Sequence, residues 1–66
     1  MLRPNESLSE DGTKRMLSIP KGGAEQRVYE EAEARGTLFA AYGHIWQVLR
    51  IEPGPTETLV TFVRVY

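Results

Sequence analysis

The stretch TLFAAYGHIWQVLRIEPGPTETLVTFVRVY, residues 37–66, decides the fold. It holds five of the chain's six aromatic residues and most of its β-branched ones. Gly43-His44 and Glu52-Pro53-Gly54-Pro55 interrupt it. Short runs of Val, Ile, Thr and aromatic residues between such breaks read as strands joined by turns. The spacing predicts strands over Thr37–Tyr42, Ile45–Glu52 and Thr56–Tyr66, paired as an antiparallel meander. Pro53 and Gly54 suit the two central positions of a type II turn, and Pro55, with no N–H to give, belongs outside the ladder. The last strand lacks Pro, Gly and Lys, so at a sheet edge it would be an open template for another chain.

The alternation within these strands is unusual. Trp46 and Val48 point one way, while Ile45, Leu49 and Ile51 point the other. Val60, Phe62 and Tyr66 likewise oppose Leu59, Val63 and Val65. A strand with one wet face alternates between apolar and polar residues, so both faces here ask for cover. One short helix covers only one face. Four arrangements account for the rest: the sheet curls into a small, partly closed barrel, the N-terminal segment folds across, a second molecule covers the face, or a β-bulge shifts the phase of a strand.

Upstream, Ala24–Arg35 is rich in good helix formers and is followed by Gly36, where a glycine stop belongs. Val28 and Ala32 stack at i, i+4 with Tyr29 and Ala24 beside them, a narrow stripe for packing on the sheet. Glu31 and Arg35 form a favourable i, i+4 pair. Pro20-Lys21-Gly22-Gly23 reads as a turn, and Met16–Ile19 as a short first strand ending at Pro20. Residues 1–15 are polar, with Leu2 and Leu8 their only large apolar side chains, and read as a flexible N-terminal arm. The expected fold is therefore α+β over residues 16–66, in the order β-α-β-β-β, with one short helix on a three- to four-stranded, mainly antiparallel sheet. A partly closed β-barrel with one helix is the alternative.

Composition narrows the function. A 66-residue chain has a thin core and gains from oligomerisation, disulfides or metals. With no Cys and one His, disulfides are excluded, and no structural zinc site or cofactor is expected. The net charge of −1 provides no field to attract nucleic acid. No apolar run is long enough to span a bilayer and the N-terminus has no signal-like apolar region, so a cytoplasmic protein without a membrane role is expected.

His44 lies in a turn, where a polar residue serves the backbone alone. Glu25, Glu30, Glu31 and Glu33 are spread around the helix, as on a solvated surface. Lys21-Gly22-Gly23 lacks the spacing of a phosphate loop. No catalytic constellation emerges, and a non-enzyme is expected. Tyr42, Trp46, Arg50, Arg64 and Tyr66 form the candidate interaction surface, because Tyr, Trp and Arg dominate binding hot spots. The favoured function is a small protein-interaction or regulatory module that binds a larger protein or itself through its sheet face or last strand. Nucleic-acid binding by the same arginines and aromatics is the alternative.

Overall fold

The computed structural model describes residues 5–66. Its elements are β1 (Glu6–Leu8), β2 (Lys14–Pro20), α1 (Ala24–Arg35), β3 (Leu38–Ala41), β4 (His44–Pro53) and β5 (Glu57–Arg64). The strands form one five-stranded sheet in the order β1-β2-β5-β4-β3, and every pairing is antiparallel. The class is α+β, as expected. The sheet is larger than expected, and a second strand precedes the helix.

The extra strand comes from the polar segment read as an arm. From Asn5 onward that segment is a hairpin with β2, and residues 1–4 lie outside the described part. Leu8 pairs with Arg15, and Glu6 with Leu17. Gly12 takes the left-handed φ of 73°. The turn closes through Ser9 N–H to Lys14 O at 2.8 Å and Gly12 N–H to Ser9 O at 2.9 Å. Asp11 braces it, accepting from the Ser9 hydroxyl at 2.7 Å, the Thr13 N–H at 3.1 Å and the Thr13 hydroxyl at 2.8 Å. Asp-Gly is a strong hairpin signal; polar composition masked it.

Helix α1 matches the expected bounds, ends on Gly36 at φ 67°, and carries the Arg35–Glu31 pair at 2.7 Å. Gln26 anchors its first turn: its side-chain oxygen accepts from Gly22 N–H and from the buried Thr58 hydroxyl, each at 2.7 Å. The stripe that meets the sheet is shifted from the expected one. Ala32 is buried and Tyr29 packs on Phe39 and Phe62, but Val28 is 56% exposed and faces the β3 side. The core under the helix joins Leu17 and Ile19 of β2, Trp46 and Val48 of β4, and Val60 and Phe62 of β5. Fully burying a side chain of this kind stabilises by about 1.5–3 kcal/mol.

Two expectations about the strands are corrected. Strand β5 lies in the middle of the sheet, between β2 and β4, so it offers no edge to a partner. Strand β4 carries a bulge: Val48 pairs with Phe62, but Arg50 pairs with Thr61 and Ile51 with Val60. The one extra residue, Leu49, reverses the phase. Before it, Trp46 and Val48 face the helix; after it, Ile51 does, and Arg50 turns to the opposite face. That shift explains the doubly apolar pattern of β4. The sheet stays open, since β1 and β3 are its edges and do not pair with each other, and the barrel alternative is set aside.

Two turns also differ from expectation. The β3–β4 turn is Tyr42-Gly43, one residue earlier than Gly43-His44, with φ of 52° and 76°. Gly54 is not in the positive-φ region required by a type II turn. It is needed for space: its N–H reaches Glu57 O at 2.7 Å, and a Cβ there would lie 2.8 Å from the same oxygen.

Gly54→Ala is therefore expected to cost about 1–3 kcal/mol in urea unfolding, as overpacking does; an unchanged midpoint would show that the loop relaxes freely. The hydrogen bonds to Asp11, led by the Ser9 hydroxyl and then Thr13, hold its carboxyl down from 3.8 to about 2. A depressed acid contributes stability above its unfolded pKa and loses it as pH falls through the folded value. Amide protection in the β1–β2 hairpin should thus weaken between about pH 4 and pH 2, a dependence that Asp11→Asn removes.

Candidate interaction surfaces

The helix-side face of the sheet is only partly covered by α1. Beyond the helix start, a cleft of about 330 Å³ is lined by residues including Glu6, Arg15, Tyr29, Phe39, Tyr42 and Phe62. Its floor is Arg15, which follows from the hairpin register: Arg15 stands between Leu8 and Phe62 on the helix side. Its guanidinium lies 3.1 Å from the Glu6 carboxylate, and the two side chains are 11% and 7% exposed. The same group sits 4.6 Å from the centre of the Tyr42 ring, 5.3 Å from Trp46 and 5.6 Å from Phe62. Tyr42 also donates its hydroxyl to Glu6 at 2.8 Å.

This arrangement is a clasp. A buried charge is tolerated only when paired, and Glu6 with three ring faces supplies the pairing. The buried Arg15 Nε–H has no hydrogen-bond partner, which leaves the rings as its surroundings. Tyr42 reaches over Arg15 from the β3–β4 turn, where a left-handed non-glycine residue costs about 1–2 kcal/mol. Its contacts with Arg15 and Glu6 offset that cost. They also tie the turn of one edge hairpin to the first strand at the other edge.

No element among the described residues lies over the opposite face of the sheet. Val65 is joined to Ile45 by a 2.9 Å backbone hydrogen bond, and Ile45 pairs with Ala40. Val63 and Leu38 both pair with Gln47 in the adjacent row. These residues make the end of the open face beside β3 apolar, with Leu38 52% exposed and Val65 also exposed, while exposed Leu59 lies at the other end, between Ser18 and Glu52. The other end carries Ser18 and Glu57 with Arg50 and Glu52 of β4, the last two paired at 3.2 Å, and Lys14 of β2 stands beside Val63.

The five residues singled out from sequence are not brought together. Trp46 is 1% exposed, and its indole N–H donates to Ala41 O at 2.8 Å, so it belongs to the core. Tyr42 belongs to the clasp. The bulge puts Arg50 on the open face, away from Trp46 and Val48, whose face it was expected to share. Arg64 pairs with Trp46 on the helix side of the sheet, so the two arginines lie on opposite faces. Tyr66 is 78% exposed, and its carbonyl oxygen lies 3.2 Å from His44 Nδ1. Arg15 and Glu6 escaped sequence reading; their signal was the alternation Glu6, Leu8 and Arg15, Leu17, Ile19 in phase about Asp11-Gly12.

The other sequence candidates find ordinary partners. The Gly22 N–H is taken by Gln26, and the His44 ring packs edge-on to Trp46. Among the described residues no cluster of His, Cys, Asp or Glu could hold a metal ion, and no helix is long and apolar enough to cross a membrane. No family model, no curated protein and no solved structure matches this chain.

The clasp makes a quantitative prediction. Arg15→Leu leaves the Glu6 carboxylate buried without its cation and is expected to cost about 3–5 kcal/mol. Arg15→Leu combined with Glu6→Leu should cost markedly less than that. Additive losses in a double-mutant cycle by chemical denaturation would show that the pair is uncoupled.

Proposed function

We propose that this chain is a small non-enzymatic protein-interaction module, regulatory in role, that binds a larger protein through the open face of its sheet. The observation that carries this reading is the apolar row Val65–Ile45–Ala40 with its neighbours Leu38 and Val63, on a face that no element among the described residues covers. Contiguous apolar surface with a polar border is typical of protein contact sites. Here Lys14 on β2 and the Arg50–Glu52 pair on β4 supply that border. The non-enzymatic part of the reading rests on the sequence, with its single His and no Cys. Separation of Arg50 from the aromatic rings favours a protein partner over a stacked nucleic acid, which needs both on one surface.

The test is recovery of a partner from the native host with tagged full-length protein, compared with the double variant Leu59→Lys/Val65→Lys. Both side chains are exposed, so the fold should persist, as checked by circular dichroism and melting temperature. Specific capture should fall at least about tenfold in the variant, the loss expected when charge enters an apolar contact. Capture that is indifferent to both substitutions would place the contact elsewhere.

A further inference from the structure

Strand β3 is an edge, and the hydrogen bonds of its neighbour show which of its backbone groups are free. Ile45 of β4 donates its N–H to Tyr66 O at 3.4 Å and accepts from Val65 N–H at 2.9 Å. Both of its main-chain groups therefore point toward β5. In an antiparallel pair, the residue opposite such a position directs its own groups away. Ala40 is opposite Ile45, and Leu38, two residues earlier, has the same phase. The N–H and C=O groups of Leu38 and Ala40 thus point off the sheet, about 6.8 Å apart along the strand.

Natural sheets protect such edges with charge, proline or a bulge. Strand β3, with the sequence Leu-Phe-Ala-Ala, has none of these, and its register with β4 is unbroken. Grooves lie along it. One of about 220 Å³ is lined by Val28, Ala32, Arg35 and Phe39 on the helix side. Another, of about 240 Å³, is lined by Ala40, Ile45, His44 and Tyr66. An added strand has alternate side chains to place on either side of a sheet, and grooves on both flanks suit that pattern.

We propose that β3 pairs with β3 of a second copy of this chain, antiparallel about a twofold axis at Phe39, so that two sheets become one. This register sets Leu38 against Ala40 of the second copy, and Ala40 against its Leu38. Every outward donor then meets an acceptor, giving about four new hydrogen bonds. The large and small side chains also match in both pairs, and the contact is self-complementary as a twofold interface must be. The two Phe39 residues meet at the non-hydrogen-bonded position, where side chains approach most closely. Exposed Val28 lies beside them, with the Glu31–Arg35 ion pair on the groove rim. A stable interface buries about 600 Å² on each partner, a large share of the 4515 Å² surface for so short a strand to reach. The dimer is accordingly weak, with a dissociation constant on the order of 0.1 mM. The pairing is made by the outward main-chain groups of β3 and abuts the open-face patch, to which Leu38 and Ala40 contribute their side chains.

Sedimentation equilibrium of the full chain from about 10 µM to 1 mM tests it, with amide exchange at Leu38 and Ala40 followed over the same range. The mass should rise toward that of a dimer, and exchange at those two amides should slow. Ala40→Pro removes an outward N–H, which an edge strand tolerates, and should remain monomeric with the rest of its amide spectrum unchanged. Should that variant fail to fold, Leu38→Lys places a charge on the same edge and should also stay monomeric. The open-face variant Leu59→Lys/Val65→Lys should still dimerise. A wild-type monomer at the highest concentration would overturn the proposal. So would a dimer that survives Ala40→Pro or Leu38→Lys, or one lost only in the open-face variant.

Discussion

The bulge at Leu49 fixes which side chains of β4 are core and which are surface. A strand alternates with a period of two, so one inserted residue exchanges its faces for the rest of its length. Before the bulge, Trp46 and Val48 join Phe62 under the helix; after it, Ile51 joins Val60. Without the extra residue, either Trp46 and Val48 or Ile51 would face water. The same shift carries Arg50 to the open face, where it pairs with Glu52 and leaves the aromatic rings behind. Core composition and surface chemistry are thus two results of one backbone irregularity.

The two faces of the sheet have different physical characters. On the helix side, apolar packing gives way at the β1 end to a buried ion pair held under aromatic rings. That pair adds specificity of position, since Arg15, Glu6 and Tyr42 come from three separate segments and fit together in one geometry. On the open side there is no comparable network. Its apolar end lies beside β3 and its charged end lies farther along β4, at Arg50 and Glu52, so it presents a direction as well as a surface. A partner that buries the apolar end meets Arg50 and Glu52 at its margin.

What was legible in the sequence was local. Helix α1 ends where Gly36 permits a left-handed stop, and the Glu31–Arg35 pair is set by spacing alone. Pairing of the last strands was also legible, because short turns force neighbours in sequence to be neighbours in space. The missed features depend on distant residues. Strand β1 is the exception, a local hairpin whose Asp11-Gly12 signal the polar composition of its arms concealed. The central position of β5 depends on β2 arriving from the far end of the chain. Alternation alone grouped Arg50 with Trp46 because the bulge is visible only through register with Phe62 and Thr61. Trp46, chosen for its residue type, is buried for the reason large aromatics usually are.

The central position of β5 also sets the order in which the molecule can form. Lys14 pairs with Val63 and Pro20 with Glu57, so the hairpin of β1 and β2 joins the rest of the sheet only through β5. During synthesis, α1 and the β3–β4 hairpin can form early, but Leu17 and Ile19 lack their β5 neighbours until Thr58 and Val60 emerge. Contacts of such long sequence separation carry a large loop-closure cost and slow the rate-limiting step. Folding of this chain is therefore a nearly all-or-none event, with β2 and β5, far apart in sequence, committed together.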